Sequence, residues 1–63
     1  MHTEIKKYLE ESLQNKKGLR IHINGSVVVG YVTRIDQDIA ELASREFTKI
    51  LVFVDRVDAI EMS

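Results

Sequence analysis

An unbroken apolar run at residues 50–54, Ile-Leu-Val-Phe-Val, constrains this chain more than any other feature. Side chains alternate between the two faces of a β-strand, so a strand of this composition needs apolar cover on both faces. The chain has only 63 residues to supply that cover, and a domain of this size buries about 60% of the surface that its unfolded chain exposes. Small chains compensate with disulfides, a metal or partner subunits. The run therefore indicates self-association.

Composition removes most other ways to stabilise so small a domain. The chain has no cysteine, which excludes disulfides and thiolate metal sites. Its two histidines, His2 and His22, belong to no cluster with metal-ligand spacing. We therefore expect no metal and no cofactor. No apolar stretch approaches the ~18 residues that span a bilayer, and the N-terminus is charged rather than signal-like, so we expect a cytoplasmic protein without a membrane partner.

Charge is divided unevenly along the chain. Six Lys and Arg accompany three acids in residues 1–35, whereas three accompany seven in residues 36–63, and the net charge is −1. Such a molecule presents one basic side rather than a general affinity for polyanions.

The N-terminal segment has the periodicity of an amphipathic helix. An apolar stripe runs along it, formed by Ile5, Tyr8, Leu9 and Leu13. We predict a helix over about residues 3–17, ended by Gly18. Lys16 and Lys17 have two interpretations: they terminate the helix and keep it soluble, or they contact a ligand.

In the remaining chain, alternating apolar residues and turn signals predict five short strands over about residues 19–62. Asn24-Gly25 indicates a type I′ hairpin turn, because both residues tolerate positive φ. Gly30 lies inside the long second strand, where glycine indicates a sharp bend or a close backbone approach. A helix followed by five strands, the second one bent, describes a small SH3-like barrel, and we expect one domain over residues 1–63.

These residues resemble the Sm/LSm family, and the pattern is most similar to that of the bacterial Hfq proteins. The first Sm motif runs from an apolar strand to Asn/Asp-Gly, a Gly five residues on, and an apolar-Asp pair. Here those positions are Asn24-Gly25, Gly30 and Ile35-Asp36. The second motif, an apolar strand, a tight turn and a short last strand, matches residues 50–60.

The sequence departs from the family at the positions that bind a base. Most Sm proteins place Asn four residues after the motif Asp, and this chain has Ala40. The Hfq pattern places an aromatic residue two after the Asp, where Asp38 stands, and its Lys-His pair falls on Val54-Asp55. Only Gln37 is retained. The resemblance thus implies the fold more strongly than the uridine pocket.

The resemblance also implies a homo-oligomeric ring, in which the fourth strand of one subunit pairs with the fifth strand of the next. The residues expected at that interface are apolar: Ile50, Leu51, Val52, Phe53, Val54, Val57 and Ile60. Loops facing the pore would bring together the first candidate RNA-binding residues, Gln37, Asp38, Asp55 and Arg56. A second candidate set, Lys16 and Lys17, belongs to the helix side.

Two functions remain open at this point. The first is an Sm-like ring that binds single-stranded RNA with a pocket unlike that of Hfq. The second is an Sm-like ring that scaffolds protein assembly without RNA. The RNA binding of the family that the chain resembles favours the first, and the absent pocket residues favour the second. Single-strand binding usually needs stacking aromatics beside positive charge, and only Tyr31 and Phe47 are candidates, since Tyr8 and Phe53 are expected to pack. The acidic residues of the pore turn favour the second. We expect no catalytic residues, because no serine has a histidine partner with a third orienting group.

Overall fold

A computed structural model of the chain describes residues 3–62. One helix precedes five strands: α1 Thr3–Asn15, β1 Leu19–Ile23, β2 Ser26–Asp36, β3 Ile39–Ala43, β4 Ile50–Phe53 and β5 Val57–Met62. A single turn of 3-10 helix, Val54–Arg56, joins β4 to β5. The prediction of a mainly β chain with one N-terminal helix is confirmed. Across residues 3–62, the helical segments fall short of the length and apolar content that a bilayer crossing requires.

The strands form an open antiparallel sheet in the order β4-β3-β2-β1-β5. β2 is the central strand and has two partners along its length. Its first half pairs with β1, from Ser26 to Gly30, and its second half pairs with β3, from Tyr31 to Asp36. The pairing partner therefore changes between Gly30 and Tyr31.

Glycine is required at this change of partner because another segment lies against the backbone. A Cβ placed on Gly30 would lie 2.4 Å from the carbonyl oxygen of Ala43. This confirms the expected close backbone approach within β2. The hairpin turn between β1 and β2 is also as predicted, since Asn24 and Gly25 have φ of 52° and 81°.

The core lies between the helix and the inner face of the sheet. Leu9 is fully buried on α1, which packs on β2 and β5. The other fully enclosed or nearly enclosed apolar side chains come from all five strands and the 3-10 turn: Leu19, Ile21, Val32, Ala40, Leu42, Val52, Val54 and Val57. Tyr8 of the helix stripe differs from expectation, because 41% of it stays exposed at the margin of the helix–sheet contact.

The helix ends earlier than the sequence predicts, and a different residue ends it. Lys16 takes the left-handed conformation, with φ of 55°, while the N–H of Lys17 donates to the carbonyl of Ser12 at 3.3 Å. This is the hydrogen bond of a Schellman-type helix end. Gly18 lies beyond that motif. Tertiary contacts of Ser12, described below, hold this end in place.

Candidate assembly and nucleic-acid surfaces

The two outermost strands of the sheet are neighbours in sequence and carry the chain's open edges. β4 pairs with β3 and β5 pairs with β1, so each is an end strand of the sheet order. The single 3-10 turn Val54–Arg56 joins them. An end strand presents a row of backbone donors and acceptors that can pair with another chain.

Alternation divides the apolar run of β4 between the core and the surface. Val52 is 4% exposed, whereas Leu51 and Phe53 are 60% and 51% exposed. Burying a side chain of this size contributes about 1.5–3 kcal/mol, a gain that a single chain forgoes at both positions. β4 thus has one covered and one uncovered apolar face.

The predicted interface residues consequently fall into three groups. Leu51 and Phe53 are free to contact another chain through their side chains. Ile50 and Ile60 are half-buried and pack against the core. The remaining three are core residues whose side chains point inward: Val52, Val54 and Val57. Those three are available to a neighbouring chain only through their backbone.

The structure brings the predicted pore-turn residues to one end of the sheet. The N–H of Val54 donates to the carbonyl of Asp38 at 2.8 Å, which ties the β2–β3 turn to the 3-10 turn that contains Asp55 and Arg56. The guanidinium of Arg56 lies 5.5 Å from the centre of the Phe53 ring. Gln37 takes the left-handed conformation, with φ of 56°.

Charge at this end of the sheet is more negative than positive. Arg34 and Arg56 accompany Asp36, Asp38 and Asp55, and Arg34 already pairs with Asp36 at 3.3 Å. Both partners of that pair are about two-thirds exposed, so the pair contributes little to stability. The surplus of carboxylates disfavours phosphate here.

Lys16 and Lys17 lie far from that cluster. Leu19, two residues after Lys17, pairs with Met62 at the end of β5, whereas Arg56 precedes the start of β5. A six-residue strand at ~3.3 Å per residue separates the two places by roughly 20 Å. Lys17 also pairs with Glu11 at 3.3 Å. The two candidate RNA-binding sets therefore do not form one site within a single chain.

A third surface, named here the β3–β4 groove, is a broad depression that both Tyr31 and Phe47 line. Tyr31 is 40% exposed and Phe47 is 60% exposed. Arg45 and Lys49 also line it and make no ion pair within residues 3–62. Sequence reasoning identified the two rings as possible stackers but missed the cations beside them. The available signal was one phenylalanine in a polar loop between an arginine and a lysine.

His22 takes part in a small polar network at the surface, as its alternation with apolar residues predicts. Its Nε2 lies 3.0 Å from Oε1 of Glu61, and Nη1 of Arg20 lies 3.2 Å from the same oxygen. The hydrogen bond from His22 is the main cause that holds the pKa of Glu61 below its usual value, with the charge of Arg20 adding to it.

Ser12 is one of the serines for which the sequence offers no histidine partner, and its hydrogen bonds give it a structural role. It is fully buried, its Oγ–H donates to the carbonyl of Lys17 at 2.6 Å, and its Oγ accepts from the N–H of Val32 at 3.0 Å. A hydroxyl engaged on both sides in this way is not poised to attack a substrate. No group of three or more potential metal ligands exists among residues 3–62.

Neither a scan against protein-family models nor a search of curated proteins found a match to this chain. What the protein does must therefore be inferred from its own residues and their geometry.

Proposed function

We propose that this protein is an SH3-like small barrel of the Sm-like type that assembles into a homo-oligomeric ring and binds single-stranded RNA. The observation that carries the proposal is the pair of open end strands, β4 and β5, joined by a single 3-10 turn, with Leu51 and Phe53 exposed on β4.

The barrel is supported by the pairing of β2, which has β1 as its partner along its first half and β3 along its second half. Its residues up to Gly30 pair with β1 and those after it pair with β3, so a bend at Gly30 would fold one half of the sheet over the other. Helix α1 precedes the five strands and packs on β2 and β5. Asn24-Gly25, Gly30 and Asp36 then take the places that the first Sm motif assigns to its hairpin, bend and strand end.

A ring is supported by the position and composition of the two edges. When β4 of one subunit pairs with β5 of the next, the contact is heterologous and closes by rotation. That contact satisfies two rows of backbone groups and brings side chains of the neighbouring strand beside Leu51 and Phe53 on the same face. It also removes an exposed apolar edge, which is otherwise an aggregation hazard.

RNA binding is supported by exposed rings that stand beside cations. Tyr31 and Phe47 lie with Arg45 and Lys49 in the β3–β4 groove, and stacking rings beside positive charge suit single strands. A ring repeats each surface, so that weak contacts per subunit add up to useful avidity. The sequence preference of such a surface differs from the uridine pocket of Hfq, whose residues this chain lacks apart from Gln37.

The test is a titration of labelled oligo-U, oligo-A and mixed-sequence RNA, read by fluorescence anisotropy at about 50 and about 200 mM salt. We expect binding that weakens at the higher salt, because the cations release counterions from the phosphates. Absence of binding at roughly 100 μM protein, the weak limit of non-specific association, would refute an RNA function.

Charge variants locate the contact within the molecule. Arg56→Ala tests the turn end, and Lys16→Ala combined with Lys17→Ala tests the helix end. Lys6→Ala combined with Lys7→Ala is the matched control, because those two lysines are exposed near the start of α1, away from Lys16 and Lys17. If RNA affinity falls equally in every variant, including the control, the protein attracts RNA only through its positive charges in general and has no specific contact.

A second candidate function, a ring that scaffolds protein assembly without RNA, is favoured by the acidic turn end. Asp36, Asp38 and Asp55 would be repeated around such a ring and would repel phosphate. In that case light scattering finds the oligomer while all three RNAs fail to bind. The two candidates therefore share the assembly and differ in the titration.

A further inference from the structure

We infer that the β3–β4 groove, between Tyr31 and Phe47, is the platform on which bases of single-stranded RNA stack. This inference rests on the proposed RNA function and assigns it a site different from the pore turn and from Lys16 and Lys17.

The loop at residues 44–49 holds Phe47 in the solvent by a defined set of hydrogen bonds. The N–H of Ser44 donates to the carbonyl of Phe47 at 2.8 Å. In return, Oγ of Ser44 accepts from the N–H groups of Glu46 and Phe47 at 3.3 and 3.2 Å. The loop is thus closed on itself around Ser44, while the ring of Phe47 remains 60% exposed. A ring presented in this way is preorganised for a contact outside the chain.

Tyr31 provides a second ring in the same groove. It is 40% exposed and pairs with Ala43, the residue just before Ser44, in the β2–β3 register. The base of the loop is set close to β2 because Gly30 has no side chain: the carbonyl oxygen of Ala43 occupies the space that a Cβ would need. The close approach at Gly30 therefore sets where the loop that carries Phe47 leaves β3, next to Tyr31.

The charges around the two rings suit a phosphate backbone. Arg45 and Lys49 are not neutralised by any ion pair within residues 3–62, and Glu46 is the one acid beside them on the loop. Arg20 lines the groove as well and shares Glu61 with His22. This balance is positive, whereas the turn end carries more carboxylates than guanidinium groups.

Two flat rings beside cations favour single-stranded RNA over an apolar peptide. Bases stack on aromatic faces, and the phosphates between them pair with nearby Arg and Lys. An apolar peptide could use the apolar part of the same lining, which includes Val27 and Val29, but it would leave the cations Arg45 and Lys49 without anionic partners.

Alanine variants of the two rings test the platform with the same labelled RNAs. We expect Phe47→Ala and Tyr31→Ala each to weaken binding roughly tenfold, the effect of removing one stacked base. Tyr8→Ala is the matched control, because Tyr8 is 41% exposed on α1 outside the groove. It should leave the affinity unchanged. Thermal melts check that all three variants are folded, so that a loss of affinity can be assigned to the missing ring.

Phe47→Trp and Phe47→Leu distinguish stacking from simple apolar contact. The chain contains no tryptophan, so a tryptophan at position 47 is a unique fluorescent reporter. We expect the Phe47→Trp variant to keep its affinity and its emission to be quenched by RNA, while Phe47→Leu weakens binding about as much as Phe47→Ala does.

The outcomes separate this inference from the function on which it rests. If RNA binds but Phe47→Ala and Tyr31→Ala leave the affinity unchanged, or if Phe47→Leu retains full affinity, the platform is refuted while the RNA function stands. If the unmodified protein binds none of the three RNAs, the proposed function fails, and the platform with it.

Discussion

Of the three glycines, Gly30 is the one at which an added side chain would collide with backbone atoms. Its neighbour is a backbone carbonyl, that of Ala43, which cannot rotate away as a side chain can. We expect Gly30→Ala to destabilise the protein by about 1–3 kcal/mol, because the added Cβ overpacks this approach. The measurement is the urea midpoint of unfolding.

Gly18→Ala is the control for that experiment. The nearest atom to a Cβ at Gly18 is the carbonyl oxygen of Gly30 at 4.0 Å, an ordinary contact. Its free energy of unfolding in urea should stay within about 0.5 kcal/mol of that of the unmodified protein. Equal effects at the two glycines would contradict the close approach at Gly30.

Ser12 connects the end of the helix to the sheet through one hydroxyl. In Ser12→Ala the buried N–H of Val32 loses its acceptor, which costs about 1–3 kcal/mol. The better helix propensity of alanine returns only about 0.5 kcal/mol. We therefore expect a net loss of stability in chemical denaturation. Ser26→Ala, at an exposed strand position, should change little, and a stable Ser12→Ala protein would show that the hydroxyl bridge is dispensable.

Glu61 links stability to acid. Because its pKa is lowered in the folded protein, its ionised form contributes stability that is present above the ordinary carboxyl pKa of about 4.3 and is lost as pH falls through the lowered value. We expect Glu61→Gln to lose less stability than the unmodified protein between about pH 6 and pH 3. The effect should be small and shrink at high salt, since the carboxylate is exposed. Glu46→Gln, at a carboxylate that makes no ion pair within residues 3–62, should retain the full acid sensitivity.

At the scale of elements, β4 is an edge strand with one face buried in the core and the other face exposed. Val52 faces the core, so Val52→Asp would bury a carboxylate and unfold the chain, which makes it uninformative about assembly. Leu51→Asp and Phe53→Asp add charge to the exposed face instead. We expect both to keep the circular dichroism of the folded protein and to reduce the mass in light scattering to that of one chain.

Val27→Asp is the control for the edge variants. Val27 is 51% exposed, similar to Phe53, but it lies on the central strand β2 rather than on an edge. Its oligomer mass should remain that of the unmodified protein. An unchanged mass for Leu51→Asp and Phe53→Asp would contradict assembly through β4.

At the scale of the whole molecule, folding and assembly are expected to be linked. A domain of 63 residues has little stability of its own, and a partner that binds only folded chains adds stability in proportion to its concentration. Tenfold dilution should lower the stability by about 1 kcal/mol per chain, which shifts Tm by about 4–8 °C. In Leu51→Asp the Tm should be independent of concentration. A concentration-independent Tm in the unmodified protein would contradict the linkage.

The helix and the hairpin could be predicted because each depends on neighbouring residues, and the close approach at Gly30 could be predicted because glycine inside a strand indicates one. Ile5, Leu9 and Leu13 recur with the helical period and contact the core. The end of the helix could not be predicted as well, because Ser12 bonds to Val32, twenty positions away in the sequence, and this contact helps to fix the C-terminal turn. A left-handed Lys16 has no local sequence signal comparable to Gly18.

For the candidate sites, too, the sequence predicted which two turns meet, and the structure was needed for the distance between the two sets. The turns with Gln37 and Arg56 were expected to meet, and the bond from Val54 to Asp38 joins them. The sequence assigns Lys17 to a separate set on the helix side, and the register of β1 with β5 shows how far that set lies from Arg56.

The sequence by itself determined the element content, the hairpin at Asn24-Gly25 and the need for glycine at position 30, because periodicity and backbone conformation are local properties. Only the tertiary structure decided that Val52 is covered while Leu51 and Phe53 are not, and that Tyr31 and Phe47 line one groove. These outcomes depend on strand order, on register and on the change of pairing partner along β2, which bring together segments that no local pattern connects.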